Sequence, residues 1–404
     1  MDSLAFLSKS PGIGGVTKQS PEDFVVCEIM QDGTVLEIGK KVAREGVPNG
    51  KFAHFVMQKK NWATTDALLE IAGKAGIGRK SIAPAGAKDR KAITVQIASA
   101  YGASCERLMS INIKDISILG CWNSDRAVGM GDLAGNRFRI KASGKIAKGA
   151  EKIVEKINGE LNGLFPNYFG EQRFGSRGNT HIVGKKILQG NLRGAAMEYL
   201  CGGEKEEKPD AREAREKLVS DKDFAKALQH YPLFLKYERR MLLHLSKVPT
   251  DFAGAMRKLP RGVLLMFVHA YQSYLFNSYV NARVREKDFE AKEGEFYCKR
   301  GAFGFPNLGG RGEGSDSPFL ACKVLGYESI PNEGEIELLE REGIMISDFK
   351  CRGMPEIGSK GSSRVLLAPL VNFSFEKDTF AFDLPAGAYA TVALREFMEK
   401  KKKH

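Results

Sequence analysis

Gly86-Ala-Lys-Asp-Arg-Lys-Ala-Ile-Thr-Val-Gln96 sets one carboxylate, Asp89, among Lys88, Arg90 and Lys91, just after a Pro84-Ala85-Gly86 turn. The following Ala92-Ile-Thr-Val-Gln-Ile97 is β-prone, so Asp89 is expected on a loop entering a strand. Nearby positive charge favours the ionised form of an acid. A carboxylate that stays ionised suits a nucleophile or an electrostatic stabiliser better than a proton donor. A basic surface turn, its Asp bonded to its own backbone, accounts for the same residues. Taken alone, the stretch fits that turn better than a site.

Working outward, Pro21–Ile29 reads as a strand with Phe24 and Val26 on one face, and Phe52–Gln58 as a second. Thr64 or Thr65 then caps a helix running to about Lys74, with Leu68, Ile71 and Ala72 buried. Strands are expected near Ile116–Trp122 and Asn136–Ala142. Ala147–Leu161 has the apolar stripe of an amphipathic helix, Ile153, Val154, Ile157 and Leu161. Irregular alternation of this kind predicts an α+β fold on a mixed or antiparallel sheet.

Phe165-Pro-Asn-Tyr-Phe-Gly-Glu-Gln-Arg-Phe-Gly175 breaks the rhythm with four aromatics, two glycines and Arg173. Such loops serve as platforms for stacking a nucleobase, and equally as core-filling segments. From about Gly184 the composition turns helical. Residues 203–223 form a mixed-charge run that reads as a solvated helix face. Leu233–Leu245 and Gly262–Arg285 follow as helices; in the second, Phe267, Tyr271, Tyr274, Leu275 and Ser278 recur at core spacing, and His269 has the look of a structural histidine. Gly301–Gly314 reads as a mobile glycine-rich surface loop. After Pro355 strands return: Arg364–Pro369, then a hairpin of Phe373–Phe375 and Phe380–Leu384 around Glu376-Lys-Asp378. Ala388–Lys400 closes as a helix and Lys400–Lys403 as a frayed basic tail. This order predicts a first part over 1–184, a largely helical insertion over 185–355, and a return over 356–404 that completes the first sheet.

At 404 residues two domains are the natural expectation. The balance of 62 basic against 49 acidic residues, +13 with a pI near 9.3, points to a polyanionic partner, nucleic acid by default. Seven scattered cysteines, an odd number without a C-x-x-C pair, read as free or buried thiols in a reducing compartment. Met1–Gly12 lacks the pattern of a signal peptide, and the apolar run Val263–Val268 is too short to span a membrane, so a soluble cytoplasmic protein is expected. No coiled-coil or dimer stripe appears, which favours a monomer. Metal-ligand spacing, a Walker motif and a dinucleotide fingerprint are all missing from the sequence.

Six segments, in order, resemble the TruD-type tRNA pseudouridine synthases. They are Glu22-Asp-Phe-Val-Val, the 86–96 stretch, Gly135-Asn-Arg-Phe138, Asn167-Tyr-Phe-Gly-Glu-Gln-Arg-Phe-Gly175, Gln272-Ser-Tyr-Leu-Phe-Asn277, and Leu384-Pro-Ala-Gly-Ala-Tyr-Ala-Thr391 with Leu394-Arg-Glu396. The resemblance implies a pseudouridine synthase catalytic domain with a mixed, mainly antiparallel sheet, interrupted by a helical insertion. It implies conversion of a tRNA uridine, typically position 13, to pseudouridine without metal or organic cofactor; other structured RNAs are accepted by related enzymes. Asp89 matches the family's catalytic aspartate, and Phe169 the aromatic that packs on the flipped base. Lys88 matches the Lys–Asp pair and is expected to hold Asp89 ionised or to contact phosphate. Asn167 and Gln172 are candidates for the uracil edge or for tying the loop down. Phe24 is a candidate pocket wall, and Arg173 a partner for Asp89 or phosphate.

Two other classes stand beside this reading. A non-catalytic binder of structured RNA on the same fold has no need of Asp89 beside its phosphate-facing surface. A metal-dependent nuclease or phosphatase would need several carboxylates or histidines around a cation, where the basic motif holds Asp89 alone; insensitivity to chelator separates it from a synthase.

Overall fold

The computed structural model describes residues 3–203, 208–314 and 316–399. The chain divides into two units. One comprises Phe6–Asn167, Lys299–Asn307 and Leu367–His404; the other comprises Met1–Ala5, Tyr168–Cys298 and Leu308–Leu366.

The first unit is built on β1 (Phe24–Ile29), β2 (Phe52–Lys60), helix α1 (Thr64–Ala75), β3 (Ile82–Pro84), β4 (Ile93–Tyr101), β5 (Ile116–Ser124), β6 (Gly135–Lys141) and α2 (Ala150–Leu161). The chain leaves β1, forms β2, α1 and β3, then lays β4 parallel to β1, the long crossover that a parallel pair requires. Side chains alternate across each strand. Ala53, Phe55 and Met57 of β2 therefore pack with Ala67, Leu68, Ile71 and Ala75 of α1, while Val56 joins Val25, Cys27, Val95 and Ile97 on the opposite face. Thr64 does not cap α1: the N-cap is Ala63, without a side-chain bond, and Thr64 is the first helical residue. In α2 the buried stripe is Ala150, Val154, Ile157 and Leu161, with Ile153 half-buried.

The second unit carries α3 (Thr180–Leu188), α4 (Leu192–Cys201), α5 (Pro209–Asp221), α6 (Lys236–Leu245) and the long α7 (Arg261–Glu286). On α7, Phe267, Tyr271 and Leu275 are buried as their spacing predicts, and Tyr274 and Ser278 half-buried. The mixed-charge helix α5 exposes Asp210, Arg212, Glu213, Glu216 and Lys217. Its Arg215 turns inward, donating to Glu238 at 3.0 Å. The segment 204–207 of that run and the tail from 400 lie outside the described residues.

Gly301–Gly314 is not a mobile loop. β7 (Phe296–Arg300) turns through Gly301–Phe305 into β8 (Pro306–Arg311), and with β9 (Phe319–Val324) and β10 (Ser362–Val365) these form a sheet ordered β8-β7-β9-β10. Within the first unit, Phe305 is 6% exposed and lies against Gly135, where an added Cβ would meet the ring at 2.6 Å. The expected single strand Arg364–Pro369 is two: Leu367–Pro369 leaves β10 to pair with Leu164–Pro166.

The chain ends with β11 (Val371–Glu376), β12 (Thr379–Pro385) and helix α8 (Ala390–Met398). Lys377 and Asp378 both have positive φ, 48° and 61°, the backbone of a tight hairpin turn. These strands complete the first unit's sheet in the order β11-β12-β6-β1-β4-β2-β5, with β3 beside β4, eight strands among the described residues. Of the strand pairs in this sheet, β1 and β4 run parallel and the rest antiparallel, so the fold is α+β on a mixed, mainly antiparallel sheet.

Cys105 and Cys121, expected as thiols, are joined in a disulfide with Cα atoms 5.4 Å apart. The short helix Cys105–Met109 packs on β5, and a spacing of 16 residues carries no local signature of that approach. Among the described residues, no helix is long and apolar enough to cross a membrane.

Candidate active site

Asp89 sits on the loop between β3 and β4, as its sequence predicts. The loop is held by side chains buried beneath it. Thr64 Oγ1 accepts the Lys88 backbone N–H at 2.9 Å and donates to Gln96 Oε1 at 3.1 Å. Gln96 Nε2 in turn donates to the Gly86 carbonyl at 2.9 Å. Lys59, fully buried on β2, donates to the carbonyls of Trp62 at 2.7 Å and Asp89 at 3.0 Å. The bonds to the Lys88 N–H and to the Gly86, Trp62 and Asp89 carbonyls satisfy backbone groups that a loop would otherwise leave to water.

The side chain of Asp89 is 30% exposed, open enough to meet a substrate, and it is ion-paired with Lys18. The Lys18 ammonium also lies 4.0 Å from the centre of the Phe24 ring. Phe24 is 3% exposed and meets Phe138 edge-on at 6.3 Å, so it forms part of the aromatic core and carries Lys18 on its face. Lys88, proposed from sequence for Asp89 or phosphate, instead extends its ammonium to Glu28. Glu28 is fully buried and accepts the Ile97 N–H at 2.8 Å through its other oxygen. Gly86 leaves room for this pair: a Cβ there would stand 2.9 Å from Lys88 Nζ.

Burial pushes the Glu28 carboxyl up, and the Lys88 ammonium and the Ile97 N–H pull it back. Burial also lowers Lys59 from 10.5 to about 8; the neighbouring Lys88 cation adds to the effect and the Asp89 carboxylate opposes it. Beside the loop, Pro21, Asn61, Arg90 and Lys91 line an open depression of about 350 Å³. Arg90 and Lys91 are exposed, a basic rim suited to an RNA phosphate.

Asn167, buried at 3% exposure, belongs to this same unit. Phe169, Gln172 and Arg173 belong to the other. There Phe169 is half-buried, its ring 5.4 Å from Phe276 in a T-shaped contact and 4.2 Å from the Arg364 guanidinium. Arg173 donates from Nε to Ser273 Oγ at 3.0 Å, and its guanidinium lies 5.5 Å from the Phe169 ring. Gln172 is exposed on the 3-10 turn Glu171–Phe174.

Sequence reasoning passed over Lys18, Glu28, Lys59, Thr64 and Gln96. Glu28, Lys59 and Gln96 carry one usable signal, a polar or charged side chain within a strand of otherwise buried residues, and Thr64 was read only as a helix cap. Lys18 carries none, being 71 residues from its partner in the chain.

The family model described as tRNA pseudouridine synthase D (TruD) matches residues 1–309 and 314–397. The probable tRNA pseudouridine synthase D of Methanococcus maripaludis is 38% identical over 395 residues, 95% of each chain. Its counterpart in Methanococcoides burtonii is 32% identical over 429 residues, covering 98% of this chain and 95% of its own. The crystal structure of a TruD protein from Methanosarcina mazei superposes with a TM-score of 0.74 at 31% identity, over 98% of this chain and 95% of that one.

Proposed function

The chain belongs to the TruD family of tRNA pseudouridine synthases, and from that premise we propose that it isomerises the uridine at position 13, in the D-arm of tRNA, with Asp89 as the catalytic carboxylate. The reaction breaks the N1–C1′ glycosidic bond, turns the uracil, and joins C5 to C1′. The C5 proton leaves and N1 ends protonated, so no redox partner is required. A carboxylate serves this chemistry as a nucleophile at C1′ or at C6 of the ring. Lys18 supports the reading by setting a cation against the Asp89 carboxylate. The buried contacts from Lys59, Thr64 and Gln96 hold the loop without using the Asp89 side chain.

The target uridine must leave its stack, at about a few kcal/mol. Phe169 is proposed to pack on the extruded base, where stacking contributes roughly 1–3 kcal/mol. Arg90 and Lys91 are proposed phosphate contacts, and Asn167, Gln172 and Arg173 contacts to the substrate or supports of the loop that carries Phe169. Lys88, bonded to Glu28, is proposed to fix the loop behind Asp89. The chemistry is assigned to the domain made by the two ends of the chain, in a monomer that works in the cytoplasm.

The observation that carries this reading is an accessible carboxylate, ion-paired with Lys18, on a loop held from beneath by buried polar side chains. Unmodified tRNA transcripts incubated with EDTA test it. Wild type is expected to form pseudouridine at one D-arm position, and Asp89→Asn to lose at least about a thousandfold in rate while still binding tRNA. Equal modification by both proteins would remove Asp89 from the chemistry. Binding without modification by either would favour the non-catalytic RNA binder.

A further inference from the structure

Gln272-Ser-Tyr-Leu-Phe-Asn277 lies on α7, buried among helices, where no substrate contact is proposed for it. Its side chains nevertheless converge on the loop that carries Phe169. Asn277 is 2% exposed. Its Oδ1 accepts the Phe169 backbone N–H at 2.7 Å, and its Nδ2 donates to the Phe169 carbonyl at 2.9 Å. Only one orientation of the amide makes both bonds, because the backbone N–H can only donate and the carbonyl only accept.

Ser273 and Phe276 stand on the same side of the helix, at the i, i+3 and i+4 spacing that ends with Asn277. Ser273 gives its hydroxyl proton to the His269 carbonyl at 2.8 Å, which leaves a lone pair for Arg173 Nε at 3.0 Å. Phe276 meets the Phe169 ring edge-on at 5.4 Å. The far end of the loop is held in the same way: Phe174 packs on His181 at 5.3 Å, and His181 stacks on Tyr274 at 5.0 Å.

From these contacts we propose that Asn277 is a positioning residue, whose amide clamps both peptide groups of Phe169 and so sets where its ring meets the extruded base. With the backbone held on both sides, the ring retains only its own two torsions. Phe276 and Arg364, the latter 4.2 Å from the ring centre, restrict those. The inference rests on the role proposed above for Phe169.

Single-turnover rates on a tRNA transcript test it in a double-mutant cycle of Phe169→Ala and Asn277→Leu, with tRNA affinity and melting temperature recorded for each protein. Each single variant is expected to slow the reaction roughly 10- to 100-fold, the range that loss of one base–aromatic stack gives. Affinity for tRNA should change less than about twofold, since phosphate contacts supply most of it. The double variant should be no slower than Phe169→Ala. Losses that multiply would overturn the clamp, because Asn277 would then act elsewhere than through Phe169; so would a folded Asn277→Leu that reacts at the wild-type rate. If Asn277→Leu does not fold, Asn277→Asp takes its place in the cycle: it keeps size and acceptor, loses the donor to the Phe169 carbonyl, and faces the same two criteria. A Phe169→Ala protein as fast as wild type would instead refute the stacking role of Phe169, and the clamp with it.

Discussion

Burial inside the first unit changes the chemistry of Lys59. An ammonium in a protein interior is costly unless bonded, and this one is bonded to two carbonyls, those of Trp62 and Asp89. Burial still lowers it to about 8 from 10.5. The consequence for stability has a definite sign. Above about pH 8 the folded protein sheds this proton while the unfolded chain keeps it until about 10.5, so the unfolded state binds more protons across that window. Stability then rises with pH between 8 and 10.5 by the Lys59 contribution, and below 8 this group adds no slope. Urea unfolding of wild type and Lys59→Met at about pH 7 and about pH 9.5 checks this: the stability of wild type relative to the variant should be greater at the higher pH. An unchanged difference would mean that Lys59 titrates as an exposed lysine does. Lys18 and Lys88 show the same principle from the other side. Two lysines of like chemistry have different duties because one meets Asp89 at the surface and the other meets Glu28 in the interior.

Helix α1 shows how an element can be read correctly while its end is misread. The apolar spacing of Leu68, Ile71 and Ala72 is a local signal, and all three are buried. Capping is also local, but Thr64 is drawn away from it by Gln96 of β4 and by the Lys88 N–H of the loop before it, partners that no helix pattern contains. The helix therefore starts on Ala63, whose extended backbone has the N-cap geometry without a side-chain acceptor. Ala63→Ser is expected to stabilise the protein by about 1 kcal/mol, read as a higher urea midpoint with an unchanged slope. No gain would show that the first-turn N–H groups already have partners. Gly301–Gly314 is the converse case. Its glycines suggested mobility, yet the turn is held by Phe305 against Gly135, and the strand after it pairs within a sheet.

At the scale of the whole molecule, β11 and β12 from the end of the chain join β6 and β1 from its beginning. The alternation of Phe373, Phe375, Phe380 and Phe382 made that hairpin legible, and Phe373 stacks on Phe397 of α8 at 4.8 Å. The net charge of +13 belongs to this scale as well. Neutralising tRNA phosphates releases counterions, so affinity should fall at least about tenfold between roughly 50 and 200 mM salt. Filter binding of a tRNA transcript across that range is the measurement, and a constant dissociation constant would exclude the basic footprint. The same charge predicts nothing about which uridine reacts.

The sequence by itself determined most of the elements, and the family: periodicities of two and 3.6 residues, turn residues and short motifs act over a few residues and survive without the fold. It also singled out Asp89 and Phe169, because each lies inside such a motif. Only the tertiary structure decided which cation meets Asp89, which acid takes Lys88, what holds the backbone of Phe169, and that Cys105 lies beside Cys121. Those outcomes depend on which strands and helices become neighbours and on which charges are then buried. Partners tens to more than a hundred residues apart leave no local pattern to read, and burial then decides which of several chemically equivalent lysines is paired.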